Sequence, residues 1–128
     1  MEEKNKQERY LKIELLNREC EQLITQINLI ETKLSELSIL RNSLDKLENS
    51  EGFSQLGEGI FIKSKIINNN LFLVHTGKKL FVEMDKEELK KYLDKKITDF
   101  EKVLSKLSEK KENINNEIQK EIIELQSR

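Results

Sequence analysis

"GIFIKSKIINNNLFLV", Gly59 to Val74, decides the fold, because it alternates apolar and other side chains where the sequence on both sides steps like a helix. Ile60, Ile62, Ser64 and Ile66 fall on one face of an extended segment, and Phe61, Lys63, Lys65 and Ile67 on the other. Leu71 to His75 and Leu80 to Met84 continue the pattern, and a shorter strand is expected from Phe53 to Leu56. All four glycines, Gly52, Gly57, Gly59 and Gly77, lie in this middle region with the Asn68-Asn69-Asn70 run. Gly57-Glu58-Gly59 reads as a turn, Asn68 to Asn70 as the close of one hairpin, and Gly77 with Lys78 and Lys79 as the close of the next.

Upstream, apolar residues recur in alternating steps of three and four: Ile13, Leu16, Cys20, Leu23, Ile27, Ile30, Leu34, Leu37, then Arg41, then Leu44. A repeat averaging about 3.5 residues over this length predicts a coiled-coil helix over about residues 8–49. Downstream, Leu93, Ile97, Phe100, Leu104, Leu107, Ile114, Ile118 and Leu125 form a second seam, with Lys111 and Glu121 as polar interruptions. This second helix is expected over about residues 85–126. Asp85 is its expected N-cap, with Glu88 completing a capping pair and Met84 and Leu89 a hydrophobic staple. The two seams, each roughly 48 Å long, can fold back as one antiparallel coiled coil. Their register stays open, since alignments one heptad apart each match apolar layers.

The expected fold class is therefore α+β, a long antiparallel coiled-coil hairpin with two central β-hairpins at about residues 52–84, in a single domain of 128 residues. Isolated hairpins are marginal in water, and every free edge is a template for another strand. Phe61, Phe72 and Phe81 are expected on one side of the strands and Ile60, Leu73 and Val82 on the other, which leaves two apolar faces that one chain cannot cover. Closure into a multi-subunit sheet or barrel would bury them. The expected assembly residues are Ile60, Phe61, Ile62, Ile66, Leu71, Phe72, Leu73, Val74, Leu80, Phe81 and Val82.

Composition narrows the function classes. Charged residues make up 37% against 36% hydrophobic, which favours an elongated or oligomeric protein over a self-contained core. A net charge of -1 gives no field to attract nucleic acid or anionic lipid, and the paired lysines alternate with acids as on solvated helix faces. The N-terminus lacks an apolar signal core, and no window approaches the roughly 20 apolar residues of a membrane span, so a cytoplasmic protein is expected. Cys20, the one cysteine, falls on the seam as a small core filler. "HTGKK" does not satisfy a phosphate loop, because Phe72 and Lys79 occupy positions that need Gly and Ser or Thr. One His, His75, and no metal-ligand spacing leave no catalytic constellation, so neither enzyme activity, metal nor cofactor is expected.

"LGEGIFIKSKI" (Leu56 to Ile66) and "LVHTGKKLFVEMDKEELKKYLDKKI" (Leu73 to Ile97), set between helices of equal length, resemble the alpha class of prefoldin subunits, the archaeal ones above all. Eukaryotic members share the pattern of Thr76-Gly77 and Val82-Glu83. Ser54-Gln55, where the family often has Val-Pro, and Met84, where it often has Lys, depart from it. The resemblance implies a hexamer of two alpha and four beta subunits, with hairpins forming central β-barrels and coiled coils projecting from them. It implies capture of non-native proteins without ATP and delivery to a group II chaperonin.

The same resemblance puts client contact at the coiled-coil ends near both termini. Tyr10, Leu11, Leu15, Ile122 and Ile123 lie off the seams there and are candidate client-binding residues, or else they thicken a fraying coiled-coil end. A structural coiled-coil adaptor joined through its strands is the rival reading, and an RNA-binding hairpin a remoter one.

Overall fold

The computed structural model describes residues 2–127. Helix α1 spans Glu2–Ser43 and is followed by a 3-10 turn, Leu44–Lys46. Strands β1 (Glu51–Gly57), β2 (Ile60–Lys65), β3 (Phe72–Gly77) and β4 (Leu80–Met84) precede helix α2, Lys86–Gln126. The α+β order of helix, four short strands in two hairpins, and helix is the one expected from the sequence. Helix α1 differs at its ends: it begins at Glu2, and its α-helical geometry stops at Ser43, whose hydroxyl turns back to donate to the Leu40 carbonyl at 2.7 Å. Leu47 is already extended, with φ -72° and ψ 127°.

The chain forms two compact units, Met1–Ser35 with Thr98–Arg128, and Glu36–Ile97. In the first, Leu16, Leu23, Ile114 and Ile118 are buried together, with Ile13, Cys20, Leu107 and Ile122 packed against them. The helix segments run antiparallel: the Cys20 thiol donates to Asn115 Oδ1 at 3.4 Å, while Arg9 and Lys12 meet Glu121 near the other end of the segments. In the second unit Leu37, Leu44, Leu89 and Leu93 are buried, and antiparallel helix segments meet through Arg41–Asp94 and Asp45–Lys90. Every position of the two apolar seams is buried or half-buried, which is what three-four stepping on facing helices requires.

Helix α2 starts where its sequence says. Asp85 Oδ1 accepts from the Glu88 amide at 2.8 Å, satisfying an amide that has no partner within the helix. Leu89, one turn in, is buried, and Met84 before the cap is half-buried, the two positions of a hydrophobic staple.

The strands pair as two separate two-stranded antiparallel sheets, β1 with β2 and β3 with β4. Gly57-Glu58-Gly59 and Gly77-Lys78-Lys79 make the turns, each with three consecutive positive φ angles; Gly57 at 124° and Gly77 at 106° lie where a side chain is strained. Asn68 to Asn70, read above as a hairpin close, is instead the linker between the sheets. The Asn69 side-chain amide donates to the Leu47 carbonyl at 2.9 Å, and Asn70 Oδ1 accepts from the Lys86 amide at 2.9 Å. The asparagines therefore satisfy backbone groups beyond the 3-10 turn and at the start of α2 rather than reversing one strand onto the next.

Candidate assembly and client-binding surfaces

In β1–β2, Phe53 lies opposite Lys63, Ser54 opposite Ile62, and Gln55 opposite Phe61. Directly opposed residues share a face, so Phe53, Phe61 and Lys63 occupy one side and Ser54, Ile62 and Ser64 the other. Ser54 and Ser64 hydroxyls hydrogen bond at 2.6 Å, and Lys63 reaches Glu51 at 3.4 Å. Both sides are open: Phe53, Leu56, Ile60, Phe61 and Ile62 are all more than half exposed.

In β3–β4 the two sides differ. Phe72 pairs with Met84 and Val74 with Val82, while Leu73 pairs with Glu83 and His75 with Phe81. Phe72, Val74 and Met84 are half-buried, whereas Leu73 at 67% and Phe81 at 58% are exposed. This corrects the expected grouping. Phe72 and Phe81 point to opposite faces, and Leu73 shares its face with Phe81 rather than with Val82. A groove along β3 is lined by Leu37, Leu40, Leu89, Tyr92 and Leu93, with Lys96 at 5.0 Å over the Tyr92 ring.

Of the expected assembly residues, only Phe72 and Val74 are half-buried within the chain; the other nine, counted along the sequence, are exposed. Ile66 and Leu71 lie outside the strands, on the linker side of each hairpin, with the Ile66 amide donating to the Ser50 carbonyl at 3.0 Å. Phe53, Leu56 and Ile67 carry comparable exposed apolar surface and were not singled out above. Phe53 and Leu56 lie in the short strand expected from the sequence, and that placement is the signal that would have added them.

Tyr10, Leu11, Leu15 and Ile123 are exposed, as their off-seam positions predict. Ile122 is not: it is half-buried against the Leu16–Leu23–Ile114–Ile118 cluster. Glu121, the polar interruption beside it, stays half-buried on the seam and is held there by cations of α1. Lys12 and Arg9 reach Glu121 at 3.0 Å each, and Arg9 also pairs with Glu124. The Lys12 hydrogen bond is the main cause holding the Glu121 carboxyl below its ordinary pKa. Arg41, the interruption in α1, is likewise met by a carboxylate: its Nε lies 3.0 Å from Asp94, which raises the guanidinium pKa further. Ile24, Leu29, Ile39, Leu40 and Val103 are further exposed apolar residues that off-seam counting along the helices would have found.

Among the described residues, no group of three or more His, Cys, Asp or Glu side chains is placed to hold a metal ion, and no helix is long and apolar enough to cross a membrane. His75 lies against Phe81 with ring centroids 4.8 Å apart and planes tilted at 48°, and Cys20 is half-buried on the seam.

Comparison with known proteins gives these surfaces a context. Residues 12–128 match the family model described as prefoldin subunit. The chain is 28% identical over 115 residues to prefoldin subunit alpha of Methanococcus maripaludis, covering 89% of this chain and 75% of the relative. It is 31% identical over 85 residues to prefoldin subunit alpha of Methanobrevibacter smithii, covering 64% and 58% respectively. Its fold is similar to that of filamentous PFD from Methanocaldococcus jannaschii, with a TM-score of 0.57, 21% identity, and coverage of 92% of this chain and 95% of that one. The helix, paired hairpins and returning helix, matched almost from end to end, place this chain in the prefoldin subunit family.

Proposed function

We propose that the chain is the alpha-class subunit of an ATP-independent cytoplasmic chaperone, a hetero-hexamer of two alpha and four beta subunits that holds non-native proteins and passes them to a group II chaperonin. It acts as a binding surface and not as an enzyme, and it needs neither cofactor nor nucleic acid. The observation that carries the reading is the exposure of large apolar side chains in two unlike places on a family member. One set is on strands with free edges: Ile60, Phe61 and Ile62 on β2, Leu73 on β3 and Phe81 on β4. The other is on helix surfaces near the chain termini: Tyr10, Leu11, Leu15 and Ile123.

Strands with unpaired backbone groups and apolar faces suit permanent assembly, because pairing satisfies the edge and buries the face together. Small apolar helix patches without backbone donors suit weak, sequence-tolerant contact, and several copies on one assembly gain strength through effective concentration. Release then needs only a competing surface, so no nucleotide step is required.

The test combines assembly with holding. Co-expression with a beta-class prefoldin subunit should give the hexamer by native mass spectrometry. The triple variant Leu11→Ser, Leu15→Ser, Ile123→Ser should keep that hexamer but lose most of its suppression of light scattering by a denatured client. Full suppression by the variant hexamer would refute the client assignment, and no suppression by the unaltered hexamer would favour the adaptor reading.

A further inference from the structure

We infer that Asn69 and Asn70 form a strap that sets the two hairpins against the strand-side ends of both helices, in the arrangement an assembling subunit meets. This rests on the reading that the chain assembles through its strands. Among the described residues the two sheets share no ladder bond, so their placement depends on what holds the linker between them, residues 66–71. Its apolar side chains do not hold it: Ile66, Ile67 and Leu71 are all exposed, Ile67 at 86%. Polar contacts do. The half-buried Asn69 donates its side-chain amide to the Leu47 carbonyl, and Asn70 Oδ1 accepts from the Lys86 amide, each at 2.9 Å.

Leu47 is the first extended residue after α1 and its 3-10 turn, and Lys86 opens α2. Two adjacent side chains thus reach the end of one helix and the start of the other. At α2 they share the capping with Asp85, which takes the Glu88 amide and leaves the Lys86 amide to Asn70. Asn68 Oδ1 accepts from the Asn70 amide at 2.9 Å and fixes the bend of the linker, while the Ile66 amide ties its entry to the Ser50 carbonyl at 3.0 Å. Glu51 pairs with Lys65 and Phe72 with Met84, so the open ends of both hairpins adjoin the strap and their glycine turns lie at the far ends. Movement of the linker away from either helix end breaks one of the two side-chain bonds.

The two bonds have opposite polarity. Asn69 acts as a donor and Asn70 as an acceptor, so a carboxylate can replace Asn70 but not Asn69. Asn70→Asp keeps an acceptor for the Lys86 amide at a helix start, where negative charge is favoured. Asn69→Asp loses its donor and sets a carboxylate against the Leu47 carbonyl. One such bond shifts an equilibrium by roughly fivefold, and apparent affinity for a partner falls with the fraction of chains in the competent arrangement.

The experiment measures, by mass photometry, the concentration at which the hexamer with a beta-class prefoldin subunit dissociates. It compares the unaltered chain with Asn69→Asp, Asn70→Asp and the double variant Asn69→Asp, Asn70→Ala. Asn70→Asp should assemble like the unaltered chain, whereas Asn69→Asp should dissociate at about fivefold higher concentration and the double variant at a higher one still. Unchanged helical circular dichroism and unchanged amide exchange within each hairpin ladder assign the loss to placement of the hairpins. Loss of ladder protection in Asn69→Asp, equal weakening by the two single Asp variants, or full assembly by the double variant would each overturn the strap with the strand-assembly reading intact. Absence of any assembly by the unaltered chain would overturn both.

Discussion

Leu23→Ala measures whether the helix seam is placed correctly. Leu23 is 4% exposed, within the cluster of Leu16, Ile114 and Ile118, whereas Leu29 on the same helix is 67% exposed. Leucine to alanine removes three carbons, each contributing roughly 0.8 kcal/mol when buried. At Leu23 nearly all of this counts, giving about 2.4 kcal/mol, and a partly collapsed cavity raises the expected loss to about 3 kcal/mol. At Leu29 only about a third counts, and alanine's better helix propensity recovers some of that, so the expected loss is below about 1 kcal/mol. For a chain of this length the first change lowers Tm by roughly 9 to 15 °C and the second by a few degrees at most. Thermal melts followed by helical circular dichroism, at one protein concentration and pH, decide it. Equal destabilisation by Leu23→Ala and Leu29→Ala would refute the seam assignment, because no helix phase buries both equally while exposing Leu15.

Acid should unfold the helix pairs in part through two carboxyls. Hydrogen bonds from Lys12 to Glu121 and from Lys90 to Asp45 hold these groups below their ordinary pKa values, so their stabilisation is complete above the unfolded carboxylate range and is lost as pH falls through the lowered folded values. Glu121→Gln or Asp45→Asn should flatten the acid limb of a stability–pH profile below about pH 4.5, and an unchanged limb would show the pairs to be idle. In the strands, Gly77→Ala should destabilise β3–β4 by at least about 1 kcal/mol, because φ there is 106° even though nothing lies within 4 Å of an added Cβ. Gly52→Ala, at a position with equal room and no positive φ, should leave β1–β2 unchanged or slightly firmer, and amide exchange of each hairpin separates the two outcomes.

The helix seams, the α2 cap and both glycine turns were legible in the sequence because each depends on residues close together in the chain. Register was not, since leucine layers repeat every heptad and any of several alignments buries them. Unlike pairs select one alignment: Arg41 with Asp94, Asp45 with Lys90, and Cys20 with Asn115. The asparagine run was misread for a related reason. Three asparagines suit a turn, but their partners, the Leu47 carbonyl and the Lys86 amide, are distant in sequence and nothing local announces them. The phenylalanine faces failed on parity. Pairing Phe72 with Met84 puts even-numbered residues of β3 and β4 on one side, so Phe81 must lie on the other. That parity is set by the turn and the irregularity between His75 and Gly77, which composition does not reveal.

The same correction bears on how the candidate surfaces divide. Had Phe72 and Phe81 shared a face, β3–β4 would offer a partner one continuous aromatic side and leave the other aliphatic. Instead each face carries one phenylalanine, and the Phe72 face is already half-buried within the chain, so the open face is narrower and contains His75 and Glu83 beside Leu73 and Phe81. Hairpin β1–β2 has no such inward side: Phe53 and Phe61 on one face and Ile62 on the other are all exposed. A two-stranded sheet exposed on both faces has too little burial to be stable alone. Its folding is therefore tied more closely to assembly than that of β3–β4, and it is the hairpin whose amides gain most protection when the subunits of the proposed hexamer come together.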